Sequence, residues 1–315
     1  MTEIALVIGE ALVDVVKRPD GTTSTHPGGS PANVALGLSR LGRNVDLLTS
    51  LGDDDHGRLV RDHVEASGVR LGESRFADRT SVATAVLDET GAATYTFDLD
   101  WDLTAPRALS DDVRVVHTGS IAAVLNPGAS TVHEVVGMAR SQATITYDPN
   151  ARPALMGDPV HARARVERLI ALADVVKVSD EDIAWLAPGE EVLEVAAAWR
   201  SQGPAIVVVT RGAEGAIAFA NCGIVSVSPA PVAVVDTVGA GDSFMSGLID
   251  GLWEAGLLGA ERRHALADIS EVTLREVLER CSRIAGITVS RAGANPPTRD
   301  ELGETPMAPA GGKDR

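Results

Sequence analysis

Short apolar, β-branched runs alternate with amphipathic helical stretches along most of this chain. Ile4 to Ile8 is an unbroken apolar run and predicts a central strand. Residues 11–27 alternate around Pro19-Asp20-Gly21, the pattern of a hairpin. Pro31 to Leu41 predicts a helix, because proline suits a first turn and Val34, Leu38 and Leu41 share a face. Val45–Ser50 then reads as a strand, and His56–Ala66 as a helix ending before Gly68. Two β-rich runs between Ser81 and Phe97, split by Glu89-Thr90-Gly91, predict a second hairpin. From Val113 onward the rhythm is regular. Strands at Val113–His117, Ala143–Tyr147, Val175–Val178 and Ala205–Thr210 alternate with helices at Ala129–Ala139, His161–Ala171 and Val192–Gln202. Such alternation implies βαβ units and a mostly parallel sheet covered by helices. Ala216–Ala220 and Ile224–Val227 flank Asn221-Cys222-Gly223, an antiparallel hairpin at the sheet edge. Two helices follow, from Asp242 and from about Thr273, where Thr273 and Glu276 have capping-box spacing. The two early hairpins fall outside the βαβ rhythm and predict a separate small sheet, built from residues about 11–27 and 82–105.

The 315 residues suffice for one large α/β domain or two small ones, and no Pro/Ser-rich linker divides them. We read one domain over 1–303 and a disordered, Gly/Pro/Ala-rich tail over 304–315. Hydrophobic content of 44% with 3% aromatics makes a core of Ala, Val and Leu, which suits parallel strands buried on both faces. A net charge of −16 argues against nucleic acid or an anionic membrane as partner. Cys222 and Cys281 are too few for a disulfide framework, and the seven histidines show no metal-ligand spacing. The opening Met-Thr-Glu-Ile has no basic, apolar leader, and no apolar run approaches membrane length. The expectation is a soluble cytoplasmic protein.

Asp236-Thr237-Val238-Gly239-Ala240-Gly241-Asp242 carries the most chemical information. It joins the apolar segment Val232–Val235 to a helical pattern through Phe244, Leu248, Ile249, Leu252 and Trp253. Free amides and the positive end of a helix dipole meet at such a turn, so it can hold an anion. A carboxylate there repels phosphate, but it serves as a base toward a hydroxyl attacking a bound phosphoryl group. The plainer reading is an Asp N-cap after a tight turn. The string is neither a P-loop nor a dinucleotide fingerprint. It resembles the second signature of the ribokinase-like, or PfkB, sugar kinases. Pro27-Gly28-Gly29-Ser30-Pro31-Ala32-Asn33 through Leu41-Gly42 resembles their first signature, and Ile8-Gly9-Glu10-Ala11-Leu12-Val13-Asp14 their first strand. Asp148-Pro149-Asn150-Ala151-Arg152 and Val209-Thr210-Arg211-Gly212 match in family order, so the resemblance runs from Ile4 to about Asp300. Gly9-Glu10, Gly-Gly-Ser-Pro-Ala-Asn and Asp-Pro-Asn look most like fructokinases within the family.

The resemblance implies a ribokinase-like three-layer α/β sandwich whose small sheet is a lid over the sugar, excluding water that would hydrolyse ATP. It implies an ATP- and Mg²⁺-dependent kinase acting on a primary hydroxyl, with Asp242 as base and Gly239, Ala240 and Gly241 as anion hole. Asp14 and Asn33 would bind sugar hydroxyls, Gly28 and Gly29 would admit the ring, and Phe97 would cover it. Asn150 would touch sugar or phosphate, and Arg152 is either a phosphate contact or a solvated side chain. Thr210, Arg211, Gly212 and Gly215 resemble the nucleotide turn, and Ala285 and Asn295 fall where the family lines its adenine pocket. The family's Asn-x-x-Glu motif aligns with Ser179-Asp180-Glu181-Asp182, leaving Asp182 and Glu181 as alternatives for ordering Mg²⁺ waters. A K⁺ ion is a further family expectation, held by Asp236 and carbonyls near Arg291 to Asn295. The competing enzyme is a 2-keto-3-deoxygluconate kinase, whose acidic sugar needs a cation. Tyr95-Thr96-Phe97-Asp98 offers none, although Arg107 is near. A nucleoside kinase would want more aromatic surface, and an inactive sugar-binding regulator would not need Asp242 beside an intact Gly-Ala-Gly. Exposed strand edges in the lid predict a homodimer built lid to lid.

Overall fold

The computed structural model describes residues 3–72, 75–89 and 92–303. The expected tail at 304–315 and Thr90-Gly91 of the second turn lie outside the described residues. The first half holds strands β1 (Ile4–Ile8), β2 (Leu12–Lys17), β3 (Thr23–Gly28), β4 (Asn44–Leu48), β5 (Ser50–Gly52), β6 (Arg70–Leu71), β7 (Arg75–Ala77), β8 (Val82–Leu87) and β9 (Ala93–Asp98). Helices α1 (Ser30–Arg40) and α2 (Asp55–Glu65) lie between them. The second half alternates β10 (Val113–Gly119), α3 (Gly128–Ala139), β11 (Thr144–Asp148), α4 (Pro153–Met156), α5 (Pro159–Ile170), β12 (Val175–Ser179), α6 (Asp180–Leu186), α7 (Val192–Arg200) and β13 (Ile206–Thr210). It ends with β14 (Ala216–Ala220), β15 (Gly223–Val227), α8 (Ala240–Glu254), α9 (Arg263–Ala267) and α10 (Glu271–Val289).

The main sheet runs β15-β14-β13-β12-β11-β10-β1-β4-β6, parallel except for the antiparallel edge pairs made by β14 and β15. Its strands read Val-Val-Lys-Val or Ile-Val-Val-Val because both faces are covered. One face packs Val116, Ile145, Val176 and Val207 against Val132, Val166 and Trp199 from α3, α5 and α7. The other packs Val7, Val115, Val175 and Val208 against Leu38, Leu248 and Leu278 from α1, α8 and α10. This is a three-layer α/β sandwich. Strand order reverses between β1 and β10, and the crevice beyond the carboxyl ends of strands at such a point is where open sheets bind ligands.

The two early hairpins form the expected second sheet, ordered β3-β2-β8-β9, although its central pair β2 and β8 runs parallel. Asp54 joins this sheet to α2: its carboxylate caps the helix at the Gly57 amide (2.7 Å) and takes the Thr80 amide (2.8 Å) and hydroxyl (2.7 Å) just before β8. The strand content stops at Asp98, short of residue 105, because Trp101 and Leu103 turn back into the main core. The run expected as one strand at 45–50 divides into β4 and β5, the latter pairing with β7.

Two helix starts differ from expectation. α8 begins at Ala240 with Gly239 as a left-handed N-cap, which places Asp242 inside the first turn rather than at the cap. α10 begins at Glu271, where Ser270 caps the Thr273 amide (3.1 Å), so the cap lies three positions before Thr273, the residue whose spacing with Glu276 suggests it in the sequence. Among the described residues no helix is long and apolar enough to cross a membrane.

Candidate functional site

A cavity of about 550 Å³ opens at the carboxyl ends of β1, β10 and β11, between the small sheet and the start of α8. Asp14, Gly29, Asn33, Phe97, Asn150, Gly239, Ala240, Gly241 and Asp242 all line it. Asp242 is buried, and both its oxygens are engaged by α1. Ser30 Oγ donates to Oδ1 at 2.7 Å, and Asn33 Nδ2 donates to Oδ2 at 2.8 Å. Asn33 therefore orients the carboxylate, besides facing the cavity. Ser30, unassigned from sequence although it sits inside the quoted Gly-Gly-Ser-Pro-Ala-Asn run, is its partner in this. The Ala240 amide turns back onto Thr237 O (3.2 Å), which leaves the amides of Gly241 and Asp242 at the open end of the helix.

Asp14 projects from β2 beside Gly28, where a Cβ would lie 2.2 Å from Asp14 Oδ2. Gly29 has φ +106, and a Cβ there would lie 2.4 Å from Glu10 O. Backbone contact and positive φ require glycine at 29, a Cβ at 28 would displace the Asp14 carboxylate, and Gly29 is the one of the two that borders the cavity. Burial raises the Asp14 carboxyl above its ordinary range, against Arg152 and His26. Phe97 stacks on Tyr95 with centroids 6.1 Å apart, and both rings face the cavity. Asn150 has φ 36 and its side-chain oxygen accepts from Arg152 Nη1 at 2.7 Å. Arg152 itself lines the cavity, whereas Arg107 does not. The expectation that Arg107 is the near cation is corrected, because the Asp148–Arg152 turn follows β11 straight into the site.

Beneath the open end of α8 lies a buried cation the sequence reading passed over. Lys177 Nζ is 2.7 Å from Asp148 Oδ2, both side chains being almost fully buried, and a Cβ on Gly241 would come within 2.9 Å of that ammonium. Burial works against the Lys177 charge, but Asp148, with Asp182 and Asp242, outweighs it and the pKa lies above its ordinary value. Burial pushes Asp148 up to about 6 despite Lys177, with Asp182 and Asp242 adding to the rise. A lysine inside the apolar run Val-Val-Lys-Val was the available signal, since Lys is almost never fully buried unless paired.

The remaining expected residues lie outside this cavity. Asp182 completes a capping box with Ser179, and its Oδ1 takes the Ala151 amide at 2.9 Å. Glu181 is exposed, and among the described residues no three acidic, His or Cys side chains converge on a metal position. Asp236 accepts from the Val238 amide (3.0 Å) and the Gly293 amide (2.9 Å), which draws residues 291–295 against Gly239 and keeps its own carboxyl below the ordinary range. Thr210, Arg211, Gly212 and Gly215 form the turn after β13, where Arg211 pairs with Glu214 at 3.0 Å. Ala285 is half-buried on α10, and the Asn295 side-chain oxygen accepts from Arg40 Nη1 at 2.6 Å.

Glu10, which follows β1, is buried and lines the cavity, and its Oε2 takes the Ala122 amide at 3.1 Å. Burial pushes its carboxyl from 4.5 up to about 7, against hydrogen bonds that include Ser120. A raised acid binds its proton more tightly folded than unfolded. Its stability contribution is therefore full below about pH 4.5 and lost as pH rises through about 7. Glu10→Gln is expected to remove this loss, gaining on the parent by roughly 2–3 kcal/mol above pH 8. Thermal melts of both proteins at pH 5 and pH 8 check it, and an equal decline in the two would exclude Glu10 as the source.

A sequence profile of the pfkB family carbohydrate kinases matches residues 2–301. The chain is 34% identical over 283 residues to a fructokinase of Rhizobium leguminosarum bv. trifolii, covering 86% of this chain and 85% of that protein. It is 36% identical over 266 residues to a fructokinase of Klebsiella pneumoniae, covering 80% and 85%. Its fold is similar to the crystal structure of a fructokinase with bound ATP from Xylella fastidiosa, with TM-score 0.83, 24% identity, and 93% and 94% of the two chains covered. A fructokinase double mutant from Vibrio cholerae O395, bound to fructose, ADP and potassium ion, is similar with TM-score 0.74, 25% identity, and 93% and 94% covered.

Proposed function

We propose that this chain, which belongs to the pfkB family of carbohydrate kinases, is an ATP-dependent fructokinase with Asp242 as its base. The observation that carries this reading is the Asp242 carboxylate, held by Ser30 and Asn33 between the cavity and the open amides of α8. A primary hydroxyl of the sugar lies against Asp242, which accepts its proton as the oxygen attacks the γ-phosphoryl in line. The Gly241 and Asp242 amides and the Lys177 ammonium below them stabilise charge on the transferring group. Asp14 accepts from sugar hydroxyls, and the Phe97–Tyr95 pair packs on the ring as the small sheet closes.

Bound Mg²⁺ would neutralise phosphate charge. Asp182 and Glu181 are the residues proposed to order its waters, since Mg²⁺ keeps much of its water shell and needs few direct protein ligands. Asp236, with backbone from Arg291 to Asn295, is proposed for K⁺, consistent with its position against that loop. Thr210, Arg211, Gly212 and Gly215 are proposed to flank the nucleotide, with Ala285 and Asn295 near adenine. The setting is proposed to be cytoplasmic.

Arg152 in the cavity favours one second reading, a kinase of an acidic sugar such as 2-keto-3-deoxygluconate. A coupled ADP-release assay over fructose, ribose, 2-keto-3-deoxygluconate and nucleosides tests both, and fructose as a poor substrate beside the acid rejects the first. Within the fructokinase reading, Asp14→Ala is expected to raise the sugar KM about 5–100-fold with little change in the ATP KM, as one unpaired hydroxyl in a closed site costs about 1–3 kcal/mol. An equal rise in both constants would place Asp14 in the fold instead.

We also propose a homodimer joined through the small sheets, since β3 and β9 are its edge strands and Tyr95 on β9 is exposed. A two-chain mass in solution is expected, and slower hydrogen exchange in residues 11–27 and 82–98 with substrate. A monomer at micromolar concentration rejects the dimer, and unchanged exchange rejects closure.

A further inference from the structure

Ser120 and Asn150 are the two non-glycine residues with positive φ among the described residues, at 53° and 36°. They sit just past the carboxyl ends of neighbouring strands β10 and β11, and both line the cavity. Asparagine enters this backbone region readily and serine does not, so Ser120 is the more costly of the two. Glycine would hold the same turn without steric cost. A strained residue persists where its surroundings over-determine it, and such residues cluster at ligand clamps.

The surroundings here are specific. The Ala122 amide donates to Glu10 Oε2 at 3.1 Å, and the Ala122 carbonyl accepts from Trp101 Nε1 at 3.1 Å. The turn Ser120–Ala123 is thus held from both sides, by Glu10 and by Trp101, and Ser120 and Glu10 line the same cavity. A hydroxyl carries one proton and two lone pairs, so it can donate to one partner and accept from another. Ser120 is buried within the protein yet borders the cavity, where a bound ligand meets that hydroxyl.

We propose that Ser120 is a sugar-binding residue, its hydroxyl hydrogen-bonded to a sugar hydroxyl, and that Glu10 positions it by holding its turn at the Ala122 amide. This rests on the carbohydrate kinase reading of the same cavity. The ligand class it selects is a polyol with a hydroxyl facing the carboxyl end of β10. The strained serine is kept, in place of glycine, for that contact.

The test is steady-state kinetics and thermal melting of Ser120→Gly and Ser120→Ala, with whichever sugar of the panel the parent enzyme turns over fastest. Failure of fructose in the parent thereby speaks only to the fructose reading. Both variants are expected to raise the sugar KM about 5–50-fold, with the ATP KM within about twofold. Ser120→Gly is expected to melt within a few degrees of the parent, since relief of strain offsets the greater freedom that glycine gives the unfolded chain. Glu10→Leu should raise the sugar KM in the same way, and Glu10→Gln, which retains an acceptor for the Ala122 amide, should recover most of it. An unchanged sugar KM in both serine variants overturns the proposal. So does a parallel rise in both KM values, or a melting loss in Ser120→Gly as large as that in Glu10→Leu, because either marks Ser120 as structural.

Discussion

Asp242→Asn is expected to lower turnover by roughly 10²–10⁴-fold, the usual yield of a positioned proton acceptor. The change keeps size and shape but removes the lone pairs that take the sugar proton. Ser30 and Asn33 both donate to the carboxylate in the parent. In the mutant, the serine hydroxyl can rotate and the Asn33 amide can turn to present its oxygen, so a hydrogen-bonded arrangement survives. Sugar and ATP affinities, read by calorimetry, should therefore stay within a few-fold of the parent while kcat collapses. A mutant with near-normal kcat would remove Asp242 from the proton transfer. A mutant that loses binding and turnover together would make its role architectural.

The second large effect belongs to Lys177→Met. The parent ammonium compensates Asp148, which has no exposed surface. Removing one partner of a buried pair costs about 3–5 kcal/mol, which for a chain of this length lowers Tm by about 5–8 °C. Turnover should fall at least about tenfold as well, because the ammonium is the cation that lies against Gly241 beneath the open end of α8. The two effects separate in a double mutant. Lys177→Met with Asp148→Asn removes both charges and should recover most of the Tm, but not the turnover. If turnover returns with stability, the lysine serves only the fold. If Lys177→Met alone turns over normally, the transferring phosphoryl group does not feel this charge.

The same contrast runs through the sequence reading. The alternating core strands were legible because a parallel strand buried on both faces must be apolar throughout, as in Ile206–Thr210, and because loops between such strands are short. The small sheet was legible because two hairpins broke that rhythm. Its parallel β2–β8 pairing was not, since strand direction in a sheet depends on which hairpin edges meet. The 236–242 run was conspicuous because small residues precede a helix there, and its resemblance to the second PfkB signature is what set it apart from a tight turn with an Asp N-cap. Ser30 was not, because a serine before a proline is ordinary locally; Lys177 carried a local signal, a lysine inside an apolar run, but its partners Asp148 and Gly241 came only from the fold.

What the sequence by itself determined, then, has local causes: the central strands and longer helices, the α/β class, a helix opening close to the Gly-Ala-Gly turn, and Asp242 as the residue to watch. What only the tertiary structure decided is each fact that needs two distant segments in one place. Ser30 and Asp242 meet across 212 positions of chain, and Asn33 and Asp242 across 209. Glu10 reaches Ala122 across 112. The physical reason is that burial and charge compensation are properties of a place, not of a residue. Lys177 and Asp148 are ordinary side chains until the sheet sets them beside one another out of water. There each compensates the charge of the other, with the Lys177 ammonium against Gly241 at the open end of α8.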